Sequence, residues 1–386
     1  MPRVLRYLLT LGITLVALLV VAITRGTKTQ LASTASYVYV LSPDARFTTI
    51  DLAAQRVIAS GQFAELHSID RVYPNPFGDN LFIQSPTVSD QSSTQATEQL
   101  AVISAVRGAK ESNFQVTRWI RGPTASSRPI WAKALNKNLL LVSWENEQGR
   151  ISTVLYDATT QAVQRVVENF SVTPTTCLSS DGQTVYAVAN NPTREIKALN
   201  LKTLAIASSS YDSVGSPSAY YKAPVAADGC TVAFIERIQT PTQRSSPAMI
   251  YIHNLESNTT LKKFNIDGIG RFAMVLNRNL LLLNLEALVP NTVGGTTIGV
   301  RRASTGSLLL YDTTTGNESA QISVPKEGEL AGVASDGNSA YYISPSLLTV
   351  IDLVNRRVSA RIDLPFSHGM LALGPRDYGW RQKPTA

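Results

Sequence analysis

Cysteine is almost absent from this chain, with two in 386 residues and no CxxC pair. That excludes a disulfide-dense scaffold and leaves no zinc-ribbon or thioredoxin-like motif. Histidine is equally scarce at three residues, too little material for a metal cage. No HExxH, Walker-type loop, GxSxG elbow or EF-hand loop occurs. Charged residues make up only 16%, while 44% are hydrophobic, which excludes a disordered or solvating chain. Long apolar runs are missing too, with one exception at the N-terminus.

That exception is Tyr7 to Thr24, uncharged and rich in Leu, Val and Ile, between Arg6 and Arg25. As a helix at about 1.5 Å per residue it spans roughly 27 Å, close to a bilayer core. The small residues of a signal-peptidase site come only near Ser33 and Ala35, some way past the apolar run. The spacing therefore favours an uncleaved single-pass anchor over a cleaved signal peptide, and leaves both open. Arg3 and Arg6 balance Arg25 and Lys28 across the segment, so charge sets orientation only weakly. The short N-terminal head argues that the bulk of the chain is translocated and displayed outside the cytoplasm. The net charge of +7 comes from 35 Lys and Arg against 28 Asp and Glu. Four of those cations and no acid lie in residues 1–28, leaving 31 minus 28, or +3, for the body. A nucleic-acid footprint is excluded on that basis.

The body repeats itself. A β-rich run ending in Asp or Asn, a turn, and a second β-rich run recur at Asp51, Asp157, Asn200, Asn254, Asp312 and Asp352, with a degenerate copy at Ile103-Ser104-Ala105. An Asp or Asn side chain can accept a hydrogen bond from the backbone two residues on, so these acids are expected to fix turns rather than to catalyse. A second signature precedes the first. Asp181-Gly182, Asp228-Gly229 and Asp336-Gly337 each lead into an apolar run, and Asn136 to Asn138 and Asn277 to Asn279 occupy the same slot. Asp-Gly between apolar runs is a strong hairpin signal.

Each unit thus reads as four antiparallel strands, a to d, and the units as blades of a β-propeller. Seven are expected, near residues 37–63, 67–121, 128–169, 173–213, 220–267, 270–324 and 328–366. The first lacks an inner strand a, and His368 to Pro375 supplies one that closes the ring and removes the open edge. The expected organisation is an anchor or signal segment with linker over 1–31, an all-β seven-bladed propeller over 32–380, and a tail over 381–386.

The repeat of strand a, Ser-Asp-Gly, strand b and a strand c ending in Asp, including Val185-Tyr186-Ala187-Val188-Ala189-Asn190-Asn191, resembles the YVTN-type β-propeller repeat family. That family is related to the β-chain-like propellers of quinoprotein amine dehydrogenases and to surface-layer propellers. The resemblance covers nearly all of residues 37–376 and implies the fold. It also resembles propeller lactonases, which implies a hydrolytic alternative, and an accessory role to a quinone-linked dehydrogenase is implied by analogy alone.

Three insertions, Ser85 to Glu98, Gln239 to Pro247 and Glu286 to Gly306, fall in b–c connections and so on one face. Their Ser, Thr, Gln, Pro and Gly content reads as loop, and insertions gathered on one face of a repeat protein mark a binding face. The starts of the inner strands ring the channel mouth on that same face: Asp70, Arg71, Arg128, Tyr220, Tyr221, Lys222, Arg271, Glu329 and His368. This ring reads as polar, aromatic and more basic than acidic, suited to an anionic or sugar-like ligand.

Other motifs are read as structural. Gly268-Ile269-Gly270-Arg271-Phe272-Ala273 matches GxGxxA but opens no helix. His253 is expected to pack, while His67 and His368 lie near strand-a starts with no visible catalytic partner. Cys177 and Cys230 belong to neighbouring blades in different slots relative to the Asp-Gly turn, which favours buried free thiols and leaves a disulfide open. Asn169, Asn258 and Asn317 head glycosylation sequons, meaningful only in a host that glycosylates. The expectation is a membrane-tethered binding or scaffold module with no cofactor or metal, engaging an envelope or surface protein or a surface polymer. The alternative is a lactonase-like hydrolase at the channel mouth.

Overall fold

A computed structural model describes residues 37–373 apart from 67, 75–79, 88–96, 105–114, 125, 189–194, 211–219, 239–247, 294–295, 335 and 367–369. The apolar segment 7–24 lies outside the described residues. Among those described, no helix is long and apolar enough to cross a membrane.

Alternating β-branched and aromatic residues, punctuated by turn residues, build seven four-stranded antiparallel sheets. Six are continuous in sequence, with each inner strand a followed by b, c and d. The remaining sheet joins the two ends of the chain: Met370–Leu373 pairs with Tyr37–Leu41, in register from Val38↔Leu373 to Leu41↔Met370. This is the closure expected from the unpartnered C-terminal strand. The core divides the same way. Seven apolar clusters each fill the space between two neighbouring blades. One of them packs Val38, Val40 and Ile50 of the first blade on Tyr341, Ile343 and Leu348 of the last, so the ring is closed by packing as well as pairing.

The recurrent Asp and Asn do the work expected of them. Asp157 Oδ1 accepts from the amides of Thr159 and Thr160 at 2.9 and 2.7 Å, and Asp312 Oδ1 from Thr314 and Thr315 at 2.7 and 3.0 Å. Asn200 and Asn254 hold the corresponding turns of their blades through Oδ1. Four residues after each turn-holding Asp or Asn the chain is left-handed, at Gln55, Gln161, Leu204, Asn258, Gly316 and Arg356. In most blades the c–d register also slips by one residue just before the turn, a bulge that twists the outer strand.

These turns predict an acid response. Hydrogen bonds from Thr160, backbone first, hold Asp157 below the ordinary carboxylate value of 3.8, and the Thr315 and Thr314 amides do the same to Asp312. The Ser179 hydroxyl lowers Asp181. A folded-state pKa below the unfolded one contributes stability that is complete above the unfolded value and lost as pH falls through the folded value. The denaturant midpoint is therefore expected to stay level down to about pH 5 and to fall below about pH 4. Asp157→Asn with Asp312→Asn keeps the turn acceptor, as the native Asn200 and Asn254 do, and should flatten part of that fall. An identical pH profile for the double variant would contradict the assignment.

Two expectations are corrected. Cys177 and Cys230 form a disulfide, with Cα atoms 5.3 Å apart across 53 residues of sequence. Cys177 lies in the two-residue inner strand Cys177–Leu178, and Cys230 in the turn between Tyr220–Asp228 and Thr231–Ile238 of the next blade. Different slots in the repeat are thus brought together because the a–b turn of one blade rests against the inner strand of its neighbour.

The second correction concerns Glu286 to Gly306, which is not a loop. Strand b of the sixth blade runs Leu280–Val293 and strand c Thr296–Asp312, paired along their length to Val293↔Thr296. Only Gly294 and Gly295 separate them, the two-residue Gly-Gly signal of a hairpin. Beyond the body of the blade, Ala287 to Val293 extend the ribbon by roughly 20 Å at about 3.3 Å per residue. The second blade shows a shorter version, with Asn80–Thr87 and Thr97–Ser104 paired out to Thr87↔Thr97. The fifth-blade insertion, 239–247, lies outside the described residues.

Candidate functional site at the channel mouth

Each inner strand starts on the face that carries the b–c hairpins, which places its first residues around the channel mouth. The chain enters the propeller at Tyr37, the start of a strand b, and therefore on the opposite face. Within the blades, the a–b hairpin sets the start of strand a against the end of strand b. Arg128, which opens Arg128–Ala134, stands opposite Glu145, and its Nε and Nη2 donate to Glu145 Oε2 at 2.9 and 2.6 Å. Lys222 stands opposite Glu236 in the same way by register. Glu236 is buried and accepts from the Tyr251 hydroxyl.

Between blades the mouth is tied together more loosely. Arg271, in Ile269–Val275, reaches Glu286 Oε1 at 3.7 Å and forms an ion pair with Glu329 of the next blade. Glu286 is nearly buried at the root of the long hairpin, so this pair joins the hairpin base to the mouth. Arg71 Nη1 donates to the Ile130 carbonyl at 2.9 Å, and its guanidinium lies 5.5 Å from the centre of the Trp131 ring. Trp131 in turn meets Tyr73 edge-on at 5.3 Å, and the Tyr73 hydroxyl donates to Gln84 Oε1 at 2.7 Å. Asp70 is exposed beside them, its amide bonded to the Gln84 carbonyl.

Of the expected ring, Asp70, Arg71, Arg128, Arg271 and Glu329 stand at or near the starts of inner strands. Its side chains are not gathered on one point. Tyr220, Tyr221 and Lys222 lie on strand a of the fifth blade, with side chains outside the described residues, as is His368 altogether. The charge of two of the ring's cations is met locally, Arg128 by Glu145 and Arg271 by Glu286 and Glu329. Glu145 and Glu286 lie on b strands rather than opening a strands, Glu145 at the end of Leu139–Glu145 and Glu286 midway along Leu280–Val293, so a search of inner-strand starts does not find them. For Glu145 the available signal was an acid directly opposite an inner-strand cation across the a–b hairpin, whereas Glu286 stands opposite Ile269 and Arg271 opposite Asn284.

One more amine lies toward the other end of the Arg128–Ala134 strand. Lys133, on the same strand as Trp131, donates from Nζ to the Pro174 carbonyl of the next blade at 2.8 Å, and burial pushes its ammonium down to about 8. His253 is far from the mouth, beside a c–d turn. It packs against Phe234, with Nε2 3.2 Å from Asn258 Oδ1 and Nδ1 3.3 Å from Thr260 Oγ1. The glycines of the GxGxxA run serve the strands. Gly268 bends the chain at φ +108°, and a Cβ on Gly270 would fall 1.8 Å from the Asn284 carbonyl oxygen. Among the described residues no group of three or more His, Cys, Asp or Glu gathers as a metal site.

No family model and no curated protein matches the sequence. Among solved structures, the chain is similar to a hydrazine synthase of Kuenenia stuttgartiensis, at 15% identity and TM-score 0.52, over 82% of this chain and 92% of that one. It is also similar to the dihydro-heme d1 dehydrogenase NirN in complex with DHE, at 15% identity and TM-score 0.50, over 89% and 67% of the two chains. A third similarity is to apo AztD from Citrobacter koseri, at 12% identity and TM-score 0.49, over 88% and 98%. At these identities the likeness is one of fold.

Proposed function

We propose that this propeller is a binding or scaffold module of the YVTN-repeat type, held to a membrane through residues 7–24 and working outside the cytoplasm. Its partner is another envelope or surface protein, or a surface polymer, engaged on the face of the b–c hairpins. The observation that carries this reading is the sixth-blade hairpin, which projects from the mouth face well beyond its blade. A two-stranded ribbon is marginal in water by itself, so its extension from an otherwise compact blade calls for a partner. The Cys177–Cys230 disulfide supports the compartment, because such bonds persist where the surroundings are oxidising. The paired arginines support a binding role over a catalytic one, since their charge is met by carboxylates.

A photo-crosslinking residue at Asn291, on the hairpin, is expected to give one discrete protein or polymer adduct in the native host. The same residue at Thr314, an exposed position in a c–d turn of the opposite face, is expected to give none. Adducts from Thr314 alone, or from neither position, would contradict the assignment of the face.

A further inference from the structure

We propose that the outer edge of strand c in the sixth-blade hairpin, Thr296 to Ala303, is a strand-addition site for an extended acidic segment of a partner protein. This rests on the binding-module reading of the same face and names the place and chemistry of contact.

The register defines the open edge. Strand a pairs with strand b no further than Ile269↔Glu286, and strand d begins to pair with strand c only at Ser307↔Ser323. Between those limits and the tip, the ribbon has no third strand among the described residues. Its two edges are not equivalent. Strand b carries Pro290, which has no amide to offer an incoming strand. Strand c from Thr296 to Ala303 has no proline and is rich in Thr, Ile and Val, residues that suit extended backbone.

Pro290 also fixes which amides face outward. It stands opposite Val300, and a proline fits an antiparallel ladder where the two residues turn their amides away from each other. By alternation, Val300 and Arg302 present N–H and C=O to the open edge of strand c.

Charge selects the partner. No acidic residue occurs from Ala287 to Tyr311, whereas Arg301 and Arg302 are adjacent. Consecutive strand residues fall on opposite faces, so each face of the ribbon has one arginine position for a carboxylate-bearing strand to match. A second copy of this chain would bring two further arginines and no acid to the same edge, so it offers no charge match.

The test uses the full chain in mild detergent and a fluorescent ten-residue peptide of alternating Glu and Val. A Lys–Val peptide of the same length is the charge control. The Glu–Val peptide is expected to bind at least tenfold more tightly than the Lys–Val peptide. Val300→Pro, which removes one outward amide without touching the charge, is expected to weaken binding at least tenfold while the thermal transition is retained. Arg301→Glu with Arg302→Glu is expected to reverse the peptide preference. Equal binding by Val300→Pro would overturn strand addition in favour of plain charge attraction. A Glu–Val peptide that fails to bind, while Asn291 still crosslinks in the host, would overturn the edge site and leave the binding-module reading standing.

Discussion

Removing the Cys177–Cys230 disulfide is expected to lower the free energy of unfolding by about 4 kcal/mol, the loop-entropy value for a closure of this length. The bond spans 53 residues and links two blades rather than two ends of one hairpin. Its position adds to the effect. The cluster between these blades has seven buried apolar members among the described residues, the smallest of the seven clusters, and Cys177 is one of them. The inner strand it holds is only two residues long, so few ladder bonds share the load. Cys177→Ala with Cys230→Ala avoids placing a hydroxyl in that interface. The denaturant midpoint should fall and the slope should rise, because the uncrosslinked chain unfolds to a less compact state, and a reducing agent should shift the parent protein but not the double variant. Coincident curves for oxidised and reduced parent would contradict this account.

Ending the chain after Phe366 is expected to cost most of the stability of the propeller. Met370–Leu373 forms the inner strand of the first blade, bonded to Val38 through Leu41. Each ladder bond lost is worth about 0.5–1.5 kcal/mol. Its loss also opens the ring beside Val38 and Val40, both fully buried, and burying such a side chain is worth about 1.5–3 kcal/mol. Together these approach the whole of a domain's usual margin of about 5–15 kcal/mol. The truncated chain should elute as an expanded or associated species and lose its near-ultraviolet circular dichroism. A synthetic peptide covering 367–376 should restore both signals. A truncated chain with the parent's cooperative transition would show that the seam is not closed by this strand.

The architecture was legible because propeller blades repeat their turn chemistry. Asp157, Asp181 and Asp312 are where a polar side chain must satisfy turn amides, and that need recurs once per blade in sequence. The closing strand was legible because a first blade without strand a and a last strand without a partner define one another. What escaped depends on contacts between blades or on short breaks in pattern. The disulfide joins a strand position to a turn position, so no within-repeat alignment brings the two cysteines together. The long hairpin hid behind Pro290 and Gly299, which interrupt the alternation that marks a strand, although Gly294-Gly295 was its true signature. Arg71, Arg128 and Arg271 lie at or near inner-strand starts, a place the repeat itself gives. Their partners, an Ile130 carbonyl, Glu145, Glu286 and Glu329, follow from hairpin register and blade packing.

On the proposed reading, the propeller acts by holding a macromolecular partner. Native mass spectrometry of the protein extracted from its own host membranes in mild detergent tests it most directly. The account predicts an intact chain with residues 1–31 retained and a stoichiometric companion, lost when the ribbon from Leu288 to Arg302 is trimmed to a two-residue turn. A bare monomer, or one carrying only a small bound mass, would contradict it and turn attention to chemistry at the channel mouth.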